Sequence, residues 1–108
     1  MGSQSEDRLS VPFITPSARR DIKSIWRHIA QDSVRYADLV ADAILATCYA
    51  TAEMPGTGHA RPDLTQRNIL FVPVRNYERY VIAYVAESDP LRILRVLHGA
   101  RDVPRLFG

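Results

Sequence analysis

The residues best suited to chemistry lie near the end of the chain, where an apolar segment at 91–97 leads into a histidine, a glycine and a charged pair. Gly99 gives the backbone freedom to turn, so that His98 and Arg101 would emerge at the edge of a sheet. Asp102 would cap a terminal turn or pair with Arg101. A strand that ends in a structural cap fits the same residues, so both interpretations stay open.

The rest of the sequence offers little catalytic chemistry. His28, His59 and His98 are spread along the chain without the spacing of metal ligands, and neither a phosphate-binding loop nor a nucleophile elbow is present. Cys48, the one cysteine, lies in an apolar stretch and is expected to be a small buried side chain, not a nucleophile. We expect a protein without metal or cofactor, in a reducing compartment such as the cytoplasm.

Arginine dominates the basic residues, with 13 arginines and only Lys23 among 14. The charge is uneven, because residues 1–54 carry −1 and residues 55–108 carry +3. A basic half is typical of contact with nucleic acid or with an acidic protein segment. The total of +2 is small for a nucleic-acid footprint, so a solvated arginine-rich surface is the simpler interpretation.

The length of 108 residues predicts one domain. We assign this domain to residues 9–108. Residues 1–8 lack the apolar stretch of a secretory signal peptide, and we expect them to be a disordered lead-in. No apolar run approaches the roughly 20 residues that span a bilayer, so no membrane association is expected.

Two helices are predicted in the first half of the chain. Residues 9–14 favour a short strand at a sheet edge, because Pro12 has no N–H to donate. Helices at about 16–31 and 34–54 follow, capped by Thr15 and Ser33, and their short connection predicts an antiparallel hairpin. Each has one apolar face, formed by Ala18, Ile22, Ile25, Trp26 and Ile29 in the first and by Ala37, Ala41, Ile44, Leu45, Cys48 and Ala52 in the second.

A loop and three antiparallel strands are predicted in the second half. Glycine and proline are dense at 55–62, and short polar links separate three segments rich in β-branched residues. The strands are expected at 69–74, 80–85 and 91–97, with a short helical turn in the tail at 102–108. The predicted fold class is α+β in the order β-α-α-β-β-β, with the helical hairpin on one face of a small, mostly antiparallel sheet.

The middle strand is apolar on both faces. One face is formed by Tyr80, Ile82 and Tyr84, and the other by Val81, Ala83 and Val85. Because two helices cover only one face of a single sheet, the second face is expected to be exposed, and an exposed apolar face usually marks a partner surface. The alternative is a small sheet wrapped by its own termini.

Segments along most of the chain agree in order and spacing with a known family. They are Ala18–Ile22 with Ile25–Ala30, Met54–Gly56 with Arg61–Leu64, Tyr80–Tyr84, and Arg95–Asp102. Together they resemble the ParE toxins of the RelE/ParE toxin–antitoxin superfamily, over roughly residues 11–107.

The resemblance implies a toxin that inhibits DNA gyrase and is not itself an enzyme. It also implies a ParD-type antitoxin, whose N-terminal part binds DNA and whose C-terminal segment wraps the toxin. The toxin would then meet DNA only indirectly, through the antitoxin. A flexible segment that folds on binding can cover a large surface, which fits the doubly apolar strand.

Relatives that resemble RelE cleave messenger RNA on the ribosome, and this chain departs from their pattern. Those enzymes draw on lysine and on a C-terminal tyrosine, whereas this chain has a single lysine, Lys23, and no tyrosine after Tyr84. Arginine does not deprotonate and is a poor general base. We expect phosphate binding more than catalysis from His98 with Arg75, Arg79 and Arg95. A RelE-type nuclease and a non-toxic module that acts only in a repressor complex stay open as alternatives.

Two sets of residues are predicted to make the contacts of a toxin. The target-binding set lies at the last strand end and consists of Arg95, His98, Arg101 and Asp102, with the tail that follows. The antitoxin-binding set is apolar and consists of Trp26, Phe71, Val81 and Ala83. Trp26 also fits the core stripe of its helix, so a core role for it stays open.

Overall fold

The computed structural model describes residues 10–107, so the lead-in predicted at 1–8 lies outside the described residues. Five strands and three α-helices follow one another in this part of the chain. They are β1 (Phe13–Ile14), α1 (Pro16–Ala30), α2 (Val34–Glu53), β2 (His59–Ala60), β3 (Leu70–Val74), β4 (Tyr77–Val85), β5 (Arg92–His98) and α3 (Gly99–Phe107).

The sheet confirms the α+β class and the helical hairpin. Its strand order is β1-β5-β4-β3-β2, with β1 parallel to β5 and every other pair antiparallel. The first strand lies at an edge, as the proline before it predicts. Arg75 and Asn76 form the tight turn between β3 and β4, and Asn76 takes a positive φ of 73°, which asparagine tolerates better than most residues.

The helix starts are where the capping residues predict them. Thr15 Oγ1 accepts a hydrogen bond from the Ala18 amide at 3.2 Å, and Ser33 Oγ accepts one from the Tyr36 amide at 3.0 Å. Each bond satisfies an amide that has no partner within its own helix. The hairpin is therefore positioned by local sequence as well as by packing.

The main core lies between the helical hairpin and one face of the sheet. Its largest fully buried side chains include Ile44 of α2, Ile82 and Tyr84 of β4, and Ile93 of β5. Leu45 was predicted to belong to this core, but it is 39% exposed. The prediction was wrong because Ile44 already occupies the inward position, and the next residue along a helix turns by about 100°.

The second face of the sheet corrects another expectation. It was predicted to be exposed, yet Phe71 and Ala83 are 6% and 0% exposed. A smaller cluster covers them, with Val103 of α3 packed against β-strand residues and Leu64 partly buried at its margin. The alternative of a sheet wrapped by its own terminus therefore describes this face better.

Two elements differ from the predicted secondary structure. β2 falls inside the predicted loop and pairs with β3 through His59 and Phe71. α3 begins at Gly99 and is longer than the predicted turn at 102–108. Gly99 has no positive φ; a Cβ at this position would stand 2.8 Å from Val81 Cγ2. This glycine is therefore required for close packing and not for a left-handed turn.

Candidate functional site

The junction between β5 and α3 is a reciprocal helix cap. His98 Nδ1 accepts a hydrogen bond from the Arg101 amide at 3.3 Å, and Asp102 Oδ2 accepts one from the His98 amide at 3.0 Å. Two otherwise unsatisfied amides are satisfied in this way, as in a capping box. A carboxylate in the first turn is also favoured by the helix dipole.

Asp102 holds two guanidinium groups around the same carboxylate. Arg101 donates from Nε at 2.9 Å and Arg105 donates at 3.3 Å. The hydrogen bonds from Arg101 lower the pKa of Asp102, helped by the His98 amide and the charge of Arg105, against a smaller opposing effect of burial. The Arg101 side chain is 68% exposed, so it presents its remaining N–H groups to a partner.

Arg95 is separated from these residues. Its guanidinium donates to Asp21 of α1 at 2.7 and 3.0 Å, and these bonds raise its pKa. Arg95 lines a cavity of about 340 Å³ with Arg67, Leu94 and Leu106, among others, whereas His98 and Arg101 line a different one. The structure therefore brings together three of the four predicted target-binding residues.

Several backbone groups along the outer edge of β5 are already occupied. At one end, β5 pairs with β1. Further along, Thr15 Oγ1 donates a hydrogen bond to Leu94 O, and the Val96 amide donates one to Asp21 Oδ2. At the other end, the His98 amide donates to Asp102. An edge whose N–H and C=O groups are occupied offers no template for an added strand. A partner would therefore contact the side chains at this edge and not its backbone.

A cleft of about 440 Å³ opens between the α1–α2 turn and the ends of β4 and β5. His28, Arg79, His98 and Arg101 come from four different elements and line it together. Sequence reasoning joined His98 with Arg79 but missed His28, which is 70 positions away from His98. No local signal in the sequence places these two histidines in one cleft, because the helix and the strand meet only in the fold.

The predicted antitoxin-binding residues lie in two places. Phe71 and Ala83 are buried beneath α3, and Val81 is partly buried beside them. Trp26 is partly buried on α1, and its Nε1 donates to Asp38 Oδ1 of α2 at 2.8 Å. Trp26 is thus a link between the two helices with part of its surface free.

Exposed apolar residues concentrate on α2, which sequence reasoning did not single out. Among the described residues, five of the nine large exposed apolar side chains lie on this helix: Val34, Tyr36, Leu39, Leu45 and Tyr49. Large exposed apolar side chains collected on one helix often mark a partner surface. The signal in the sequence is that the second helix carries more apolar residues than one face can bury.

Within residues 10–107, no group of three or more His, Cys, Asp or Glu residues is placed to hold a metal ion. No helix in the same part of the chain is long and apolar enough to cross a membrane.

Comparison with protein families identifies the class of protein to which this small α+β domain belongs. The model for the ParE toxin of type II toxin–antitoxin systems, parDE, matches residues 13–103. This range runs from β1 into α3, so the chain belongs to the ParE toxin family, as its sequence segments predict. No curated protein matches the chain.

Proposed function

We propose that this protein is the toxin of a type II toxin–antitoxin pair that inhibits DNA gyrase in the cytoplasm and is neutralised by a ParD-type antitoxin. Membership of the ParE family supports the toxin role. In this proposal the protein acts by binding its target and not by catalysis. It contacts DNA only through the antitoxin.

The observation that carries the target proposal is the geometry of the β5–α3 junction. Asp102 fixes Arg101 against α3, while the Arg101 side chain stays 68% exposed. A preorganised arginine loses little conformational freedom on binding and is a frequent hot spot of interfaces. Arg95 contributes less in this proposal, since Asp21 already occupies its guanidinium.

Inducible expression in bacteria tests the toxin role. We expect growth arrest, rescue when the neighbouring small gene is co-expressed, and loss of arrest with Arg101→Ala. Arg27→Ala is the matched control, because Arg27 is an exposed arginine on α1 outside the junction. Normal growth despite accumulation of folded wild-type protein would leave only a non-toxic binding module. Ribosome-dependent RNA cleavage would favour the nuclease alternative.

The antitoxin, in this proposal, covers the outer surface of the helical hairpin. Leu45 and Tyr49 lie 7 and 11 positions after Asp38 on α2, so they share one helical face with the partner of Trp26. A segment that folds along this face would bury Trp26 and both exposed side chains. Contact with Phe71 and Ala83 would in addition require α3 to move, because Val103 covers them.

Binding measurements with the antitoxin separate these surfaces. Leu45→Asp should weaken binding by about a hundredfold, since a charge would be buried at an apolar contact. Leu106→Asp is the control, as Leu106 is 45% exposed against 39% for Leu45 but lies on α3. Equal weakening by both variants would argue against the hairpin surface, and weakening by Leu106→Asp alone would assign the antitoxin to α3.

A further inference from the structure

The cleft between the α1–α2 turn and the ends of β4 and β5 contains hydrogen-bond donors that have no partner among the described residues. The side chains of Arg79 and His28 make no hydrogen bond or ion pair with residues 10–107. Both are exposed at the rim. Asp32 is the one carboxylate in the lining of the cleft as the described residues form it. The lining therefore contains more cationic and donor side chains than carboxylates.

His98 and Arg101 add oriented donors from the opposite wall. Because His98 Nδ1 accepts the Arg101 amide hydrogen, Nε2 carries the proton of the neutral ring and is available to donate. Arg101 donates hydrogen bonds from Nε and one terminal nitrogen to Asp102, so its other N–H groups remain free to bind a ligand. A guanidinium held in this way binds tetrahedral oxyanions well, because its fork of donors matches their geometry.

Aromatic rings complete the site. Tyr80 packs edge-on against His98, with 5.9 Å between ring centroids, and Tyr36 lines the same cleft. Tyr80 is buried, yet its hydroxyl has no hydrogen-bond partner among the described residues and is not enclosed. Its hydroxyl therefore reaches the cleft as a further donor, and the Tyr36 ring, which is 40% exposed, offers a surface against which a base can stack.

We propose that this cleft binds a nucleotide, with the phosphate held by Arg79 and Arg101 and the base against Tyr36. A volume of about 440 Å³ is in the range of small-ligand sites. Convergent donors beside apolar side chains, here Ile25 and Ile29, are typical of such sites. The inference goes beyond gyrase inhibition and does not depend on it, because it concerns a ligand of the isolated protein.

Amide NMR spectra of the full chain test the proposal, with adenosine 5′-monophosphate, adenosine and inorganic phosphate as probes. We expect saturable shifts at cleft residues with the adenylate and much weaker ones with adenosine. Arg79→Gln should lower the affinity about tenfold, since it removes a charge-assisted hydrogen bond. Arg27→Gln removes the same charge beside His28 but outside the lining, and should leave the affinity unchanged.

Each other outcome has a defined meaning. Absence of shifts at millimolar adenylate, or equal weakening by Arg79→Gln and Arg27→Gln, would overturn the site. Inorganic phosphate that binds as tightly as adenylate would overturn the nucleotide assignment. A short single-stranded oligoribonucleotide distinguishes the source of the nucleotide: tighter binding with the same dependence on Arg79 assigns a nucleotide within a strand, and equal binding assigns a free one.

Discussion

Asp21 on α1 and Arg95 on β5 lie 74 positions apart in the sequence and are joined by two hydrogen bonds of 2.7 and 3.0 Å. The same carboxylate accepts a hydrogen bond from the Val96 amide at 2.9 Å. The Asp21 side chain is only 15% exposed, so water competes weakly for these bonds. One side chain thus ties the helical hairpin to the edge of the sheet that leads into the β5–α3 junction.

Removal of Asp21 should destabilise the fold. Asp21→Ala deletes three hydrogen bonds and leaves Arg95, whose side chain is 34% exposed, without its counter-ion. We expect a loss of about 2 kcal/mol in the free energy of unfolding, because charge-assisted bonds to partly buried groups are the costly ones to break. The midpoint and slope of urea denaturation measure this loss.

The matched control is the ion pair between Arg61 and Asp63, which also has two hydrogen bonds, at 3.0 and 2.8 Å. Both of its side chains are about half exposed, at 49% and 61%, and exposed pairs contribute little. Asp63→Ala should leave the urea midpoint unchanged. A similar shift for both variants would contradict the structural role assigned to Asp21.

Gly99→Ala should loosen α3 from the sheet. The added Cβ would stand 2.8 Å from Val81 Cγ2, closer than real contacts allow, and overpacking of this kind costs about 1–3 kcal/mol. Thermal unfolding should show a lower midpoint, restored in part by Val81→Ala in the same chain. Gly56→Ala is the control, since a Cβ there meets nothing within 4 Å. An unchanged midpoint for Gly99→Ala would mean that α3 is not packed as described.

The cap at Asp102 should fail in acid. Arg101 and the other donors lower the pKa of this carboxyl below its ordinary value of 3.8. A carboxyl group whose pKa is lowered by folding stabilises the protein at pH values above its pKa in the unfolded state. This stabilisation disappears as the pH falls through its pKa in the folded state. The difference in unfolding free energy between wild type and Asp102→Asn should be constant near neutral pH and shrink below about pH 4. A difference independent of pH would contradict the cap.

Cys48 should be unreactive in the folded protein. The side chain is fully buried, and burial raises the pKa of the thiol to about 12. The thiolate is the reactive form, so alkylation at pH 8 should occur only as fast as the protein unfolds. Mass spectrometry of samples alkylated with and without urea measures the rates. Rapid labelling without urea would show that the core around α2 opens easily.

Local signals predicted the helical hairpin well, because they depend on near neighbours. Thr15 and Ser33 cap helices within three residues of themselves, and the apolar period marks the buried faces. The same reasoning gave a cap at His98–Asp102 as one of its open interpretations, and both partners of this cap lie within one helical turn.

Contacts between distant segments could not be predicted in this way. No sequence signal pairs Asp21 with Arg95, and none brings His28 to His98 in one cleft. The short strand β2 exists because His59 meets Phe71, a pairing invisible in a segment rich in glycine and proline. The second face of the sheet was expected to be open because only the two helices of the hairpin were counted as its cover, whereas Val103 of α3 packs against this face.

The most direct test of the central claim is a supercoiling assay with purified DNA gyrase and the full chain freed of antitoxin. We predict that the wild-type protein and Arg27→Ala block supercoiling, and that folded Arg101→Ala at the same concentration blocks it much less. Full gyrase activity in the presence of folded wild-type protein would contradict the proposed function.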